Sequence, residues 1–255
     1  ACALPLGTGE DRMTDLRRDL EARRTDCSVL SENPFDAAAP FYDAWYEMPL
    51  GRLVDELEKD LIYGLAAPVA GERALDVGTG TGHFAFDLAR RGLKVTGVDI
   101  SGAMLNVARA KGESVALVTA DAGELPFEDS SFDLVLSVTN LEFVSQPEKA
   151  LSEMWRVTCP GGCMVVAVLN AWSPWARARQ REALEQDTPF RYAHFFAPRE
   201  FVGMLRHYGP TRWNSSVFIT PGGRGQRLAW ALERTGRLVL RPFGALLVGR
   251  VSKMG

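Results

Sequence analysis

Residues 75–82, Leu75-Asp76-Val77-Gly78-Thr79-Gly80-Thr81-Gly82, set one carboxylate at the end of an apolar run and follow it with three glycines at alternate positions. That spacing reads as strand, tight turn and helix start, with a backbone that a ligand can approach closely because no Cβ stands in the way. Phosphate-binding turns of this architecture aim N–H groups at anions, and a carboxylate beside a pyrophosphate would repel it. Asp76 therefore argues against a dinucleotide, as does His83, which stands where the dinucleotide fingerprint needs its third glycine. Two further β-rich runs end in acids. Lys94-Val95-Thr96-Gly97-Val98 ends at Asp99, seventeen residues past Gly82, and Val115-Ala116-Leu117-Val118-Thr119 leads into Ala120-Asp121-Ala122. The Asp99 spacing is close to that at which an acid meets a pair of ribose hydroxyls.

An adenine nucleoside that lacks phosphate and carries an ammonium and a sulfonium, S-adenosylmethionine, matches such a constellation. In these residues the chain resembles the class I S-adenosylmethionine-dependent methyltransferases, whose first motif reads acid-x-Gly-x-Gly-x-Gly. Leu125-Pro126-Phe127-Glu128-Asp129-Ser130-Ser131-Phe132-Asp133 is similar to a Leu-Pro-Phe-x-Asp-x-Ser-Phe-Asp stretch of that family, and a helix followed by Pro160-Gly161-Gly162 and a strand repeats its pattern. The resemblance covers about residues 70–170 and is nearest to the methyltransferases of quinone biosynthesis and other small-molecule enzymes.

The resemblance implies S-adenosylmethionine as cofactor and S-adenosylhomocysteine as product. It implies that Asp76 holds the ammonium, that Gly78, Thr79, Gly80 and Gly82 form the close backbone, and that Asp99 takes the ribose. Ile100 and Met104 then lie on the adenosine side, Asp121 and Ala122 at the adenine edge, and the segment Thr139-Asn140-Leu141-Glu142-Phe143 beside the methionine moiety. Tyr42, in the Tyr-Asp pair ahead of the core, is the favoured lid residue. Methyl transfer to an O, N, C or S nucleophile by in-line displacement needs alignment more than acid–base help, so the absence of an evident triad is no objection. Candidates for acceptor contact are Asn140, Glu142, Tyr42 and His194, the last also readable as a hydrogen-bonded structural residue.

Alternating apolar runs and amphipathic stretches position these residues. Phe132–Val138 is a run apolar enough to be covered on both faces, Ser145 and Glu148 form a capping box with Pro147 in the first turn, and Cys163–Leu169 is a fifth strand. Thr211–Ile219 and Gly244–Val251 read as closing strands. The expected fold is α/β, a doubly wound, mostly parallel seven-stranded sheet with helices on both faces, an N-terminal helical lid and, by the resemblance, an antiparallel last strand. The ligand is expected where strand order reverses, between the first and fourth strands. Residues 1–33 read as an extension, partly disordered or helical, in which Met13 is an alternative start. Residues 34–255 read as one domain, with 34–69 the lid, 70–170 the cofactor-binding core and 171–255 the acceptor region and closing strands.

Composition narrows the partners. Four cysteines and three histidines at scattered positions argue against a metal site. No apolar stretch is long enough to span a bilayer and no leader opens the chain, so a cytoplasmic location is expected. Net charge is −3, yet residues 171–255 hold fourteen basic against five acidic residues, a net of +9. That asymmetry raises a peripheral membrane contact, through a helix over Gln226–Arg237 with Leu228, Ala231, Leu232 and Thr235 on one face, against the plainer reading of a solvated helix packed on the sheet. The expected acceptor is a small molecule. Nucleic acid is disfavoured because the basic residues are scattered, leaving RNA methylation, a noncatalytic cofactor-binding regulator and a dinucleotide-dependent oxidoreductase as alternatives. Oligomeric state is not legible.

Overall fold

The structure, a computed structural model, describes residues 33–112, 114–185 and 188–255. The expectations for the N-terminal extension, including Met13, Cys2 and Cys27, lie outside the described residues. Residues 34–255 form one compact unit.

Its centre is a seven-stranded sheet: β1 (Arg73–Val77), β2 (Lys94–Asp99), β3 (Ala116–Thr119), β4 (Phe132–Val138), β5 (Thr158–Leu169), β6 (Thr211–Ser216) and β7 (Leu246–Ser252). Spatial order is β3-β2-β1-β4-β5-β7-β6. The pairs from β3 to β5 are parallel, and β7 runs antiparallel to both of its neighbours. Order therefore reverses between β1 and β4, which is where doubly wound sheets open a crevice at the strands' carboxyl ends.

Side chains alternate between two cores because successive residues of a strand face opposite ways. Ala74, Leu134, Leu136 and Val165 face α2 (Pro49–Ala66) and α3 (His83–Arg90). Leu75, Val135, Met164 and Val166 face α5 (Pro147–Val157) and α7 (Pro198–Arg206). The helix α2 starts with Pro49 in its first turn and buries Val54, Leu57, Leu61 and Leu65 at helical spacing. Ahead of it, α1 (Ala44–Glu47) and a 3₁₀ turn at Ala39–Phe41 make the rest of the lid segment. The remaining helices are α4 (Gly102–Ala110), capped by Ser101 accepting from the Met104 N–H at 3.1 Å, α6 (Pro174–Glu185) and α8 (Ala229–Val239).

Local details depart from the expectations. Ser145 does not cap α5; the cap residue is Gln146, with no side-chain capping bond, and Pro147 stands in the first turn. The fifth strand starts earlier, at Thr158, and carries the Pro160-Gly161-Gly162 stretch as an irregularity where its pairing with β4 shifts register. In α8 the apolar face is not the buried one. The helix buries Ala229, Glu233 and Gly236, while Leu228 is 65 % and Leu232 is 38 % exposed. The inner face is chosen by hydrogen bonding: Glu233 accepts from Ser216 Oγ at 2.6 Å, from the Val217 N–H at 3.0 Å and from Arg237 Nε at 2.9 Å. Gly236 lies against the Phe218 ring, where a Cβ has no room. Among the described residues no helix is long and apolar enough to cross a membrane.

Candidate active site

The turn after β1 is pinned from within. Gly78 and Thr79 donate backbone N–H bonds to the Val98 carbonyl at 2.8 and 2.9 Å, tying the β1 and β2 ends together. Gly78, Gly80 and Gly82 have φ of +76°, +54° and +85°, the left-handed region that glycine enters without a Cβ penalty. The space beside Gly80 is open, with nothing within 4 Å of where a Cβ would stand, whereas Gly78 backs directly onto Asn140.

Asp76 is 2 % exposed, and its Oδ2 accepts from Thr79 Oγ1 at 2.7 Å. Burial pushes its carboxyl up to about 7, with Thr79 opposing the shift and the charge of Asp99 reinforcing it. The structure thus sets Asp76 inside the turn, where it shapes the loop from beneath. Asp99 is the acid at the open edge. Its two oxygens accept from the Gly80 and Ser101 N–H groups, both at 2.8 Å, and each retains lone-pair capacity. Burial raises its pKa against those two bonds. Ile100 beside it is 59 % exposed, while Met104 is buried at 2 %, in the core beneath. Asp121, exposed, accepts from the Gly123 N–H at 2.6 Å through Oδ1, next to half-exposed Ala122.

Beyond β4 the chain turns sharply. Thr139 takes φ of +47°, a strained value for a β-branched residue, and a 3₁₀ turn follows at Leu141–Phe143. Glu142 on that turn is 2 % exposed; Oε1 accepts from the Leu169 N–H at 2.5 Å, and Oε2 has no partner among the described residues. Burial lifts its carboxyl to about 7, opposed by the Leu169 bond. The Glu142 carbonyl accepts from the His194 N–H at 2.8 Å, so the two candidates are neighbours through backbone. The His194 ring, however, pairs with Glu200 at 2.6 Å at the mouth of α7, a structural contact on a partly exposed surface.

The lid segment reaches these pieces through residues that the sequence did not single out. Asp36 accepts from Ser101 Oγ at 2.5 Å, and Asp43 accepts from Thr81 Oγ1 at 2.6 Å and pairs with Lys111 at 2.7 Å. Tyr46 stacks on His83 at 3.8 Å between ring centroids, and His83 is held by Asp55 at 2.7 Å. Tyr42 stands beside Tyr46, 6.3 Å between centroids, and burial raises both phenol pKa values. Behind the Glu142 turn lies a narrow cleft, lined by Val54 and Glu58 of α2, Leu169 of β5, Trp175 and Arg179 of α6, and Phe195. Burial pushes Glu58 up to about 8, with Arg179 opposing.

A doubly wound sheet with a glycine turn after β1 and an acid closing β2 defines a nucleoside-cofactor-binding α/β domain. Comparison with known proteins narrows the class. A family profile described as a methyltransferase domain matches residues 75–166. A demethylmenaquinone methyltransferase of Renibacterium salmoninarum is 40% identical over 133 residues, 52% of this chain and 56% of that protein. An uncharacterised protein of Methanocaldococcus jannaschii is 30% identical over 182 residues, 69% of this chain and 80% of that protein. The crystal structure of a Thermotoga maritima SAM-dependent methyltransferase, described as a possible histamine N-methyltransferase, superposes with a TM-score of 0.68 at 26% identity, covering 86% of this chain and 98% of that one. The chain belongs to the class I S-adenosylmethionine-dependent methyltransferase family. It spans less than two thirds of the length of the demethylmenaquinone methyltransferases it matches.

Proposed function

We propose that this protein transfers the methyl group of S-adenosylmethionine to a small-molecule acceptor. The observation that carries the reading is the pairing, at the carboxyl ends of the strands, of an open glycine turn flanked by Asp99 with a separate cleft behind the Glu142 turn. A noncatalytic cofactor-binding protein needs only the first of these. The residues present suit the cofactor: Gly80 leaves room for close approach, Asp99 keeps lone pairs for two hydroxyl donors, and Ile100 offers an exposed apolar face. Asp76 supports the turn from within, through its bond from Thr79.

Bound S-adenosylmethionine supplies a methyl group on an already activated sulfonium. The protein's share is alignment, and the Asn140–Glu142 turn is the element standing between the glycine turn and the cleft. Glu142 is the residue we assign to accept a proton from a protic nucleophile; its Oε2 has no partner among the described residues, and a carboxyl near 7 is matched to that task at neutral pH. Tyr42 and Tyr46 close the lid side and exclude water. His194, engaged by Glu200, serves the fold.

The test is calorimetry with S-adenosylmethionine and S-adenosylhomocysteine, followed by transfer of a labelled methyl group to panels of quinols, phenols, amines and thiols, with total RNA alongside. Binding of both molecules and labelling of a small molecule are expected. Absence of binding, preference for NAD, or label in RNA alone would overturn the reading.

A further inference from the structure

The cleft contains a cation that has no counterion among the described residues. Arg179, projecting from α6, lies over the Phe190 ring at 4.4 Å and near Trp175 at 5.9 Å, and makes no hydrogen bond or ion pair among the described residues. Other half-buried arginines are tied. Arg237 pairs with Asp60 at 2.7 Å and Glu233 at 2.9 Å, and Arg156 pairs with Glu153 at 2.7 Å. A guanidinium withdrawn from water without a partner is unfavourable, and it stays charged because its pKa is too high to lose the proton.

Four groups feel its charge: Glu58, Tyr42, Glu142 and Tyr46. None is bonded to it. Glu58 faces the same cleft from α2 and forms no ion pair with Arg179. Asp55 and Lys59 act on it from the same helix, Arg179 from α6 and Glu233 from α8, and burial outweighs them all, leaving its carboxyl near 8 and chiefly protonated at neutral pH. A neutral carboxyl donates a hydrogen bond; a guanidinium offers a two-pronged fork matched to a carboxylate.

We propose that the cleft is the acceptor site and takes a molecule bearing a carboxylate, held by the Arg179 fork and the Glu58 carboxyl, with the nucleophilic end directed to the Glu142 turn. This rests on the methyltransferase reading for its direction and on the cleft alone for its charge preference. An amine-bearing acceptor would set a second cation against Arg179. The enclosed space is about 10 Å³, the room of roughly one water, so it takes the carboxylate end of such a molecule and not a whole ring.

The experiment titrates the full chain, with and without S-adenosylhomocysteine, with benzoate, 4-hydroxybenzoate and indole-3-acetate, with their amides, and with benzylamine, in wild type, R179Q, R179K and the surface control R241Q. At least one acid is expected to bind tenfold or more tightly than its amide and than benzylamine. R179Q should abolish that preference, R179K should retain part of it because the charge survives without the fork, and R241Q should retain it whole. Thermal melting checks that each variant folds. If no acid is preferred over its amide, if benzylamine binds best, or if folded R179Q keeps the preference, the proposal is overturned. Failure of wild type to bind S-adenosylhomocysteine, with the Arg179-dependent acid preference intact, sinks the methyl-transfer reading and leaves the carboxylate site standing.

Discussion

Placing an alanine at Gly78 strikes two features at once. The residue has φ of +76°, which costs an L-residue about 1–2 kcal/mol. Its new Cβ would also overlap the Cγ, Oδ1 and Cβ atoms of Asn140, so the turn after β4 must move, at a typical overpacking cost of about 1–3 kcal/mol. Together the two predict a loss of about 2–5 kcal/mol in urea unfolding. Because Asn140 opens the segment that separates turn from cleft, S-adenosylhomocysteine should bind at least tenfold more weakly by calorimetry, a change of about 1.4 kcal/mol. The components separate in a double-mutant cycle. Asn140→Gly removes all three overlapping atoms while leaving the backbone angle of residue 78 untouched, so G78A/N140G should lose about 1–3 kcal/mol less than the two single losses combined. Additivity within about 0.5 kcal/mol, or undiminished ligand binding by G78A, would refute the close-approach reasoning.

Three other outcomes follow from the same geometry. Asp99→Ala should weaken S-adenosylhomocysteine binding at least tenfold, since a hydrogen bond to a charged group is worth about 1.5–3 kcal/mol, with a smaller change in melting temperature; equal binding by calorimetry would contradict the ribose role. Glu58 has a folded-state pKa near 8, above its unfolded value, so its stabilising contribution is complete below about 4.5 and is lost as pH rises toward 8. The stability of wild type relative to Glu58→Gln, measured by denaturation from pH 5 to 8.5, should therefore fall across that window; a flat difference would reject it. Arg237→Ala leaves Glu233, 1 % exposed, without its cation and should cost about 3 kcal/mol, read as a melting temperature lower by roughly 6–12 °C.

What the sequence revealed was what is local. The Asp76–Gly82 turn, the acids at Asp99 and Asp121 and the strand runs between them announce themselves through spacing within a few residues, and the sheet order follows from connection rules. The meeting of Arg179 and Glu58 at one cleft was invisible because the two lie on α6 and α2, far apart in the chain, and a lone arginine on a polar helix has no pattern to mark it. Which face of α8 is buried was not legible for a related reason. Apolar periodicity pointed to Leu228 and Leu232, but the buried face is decided by Glu233 finding Ser216, Val217 and Arg237, a tertiary choice. The hold of Asp36 and Asp43 on Ser101, Thr81 and Lys111 was missed likewise, because partner choice among surface polar groups leaves no periodic trace.

Those last contacts distinguish the cover over the glycine turn from the sheet beneath it. The sheet is sealed by apolar surface on both faces, which water cannot replace without loss. The cover is fastened at Ser101 and Thr81 by part-buried hydrogen bonds, at His83 by the stacked Tyr46 ring, and at Lys111 by its ion pair with Asp43, which salt screens and which contributes about 0–1 kcal/mol. Amide protons of residues 36–47 therefore belong to the part of the molecule that opens alone, exchanging with solvent by local excursions while those of β1 and β4 wait for global unfolding. The protein has a latch that loosens in salt at its Asp43–Lys111 pair and a frame that does not.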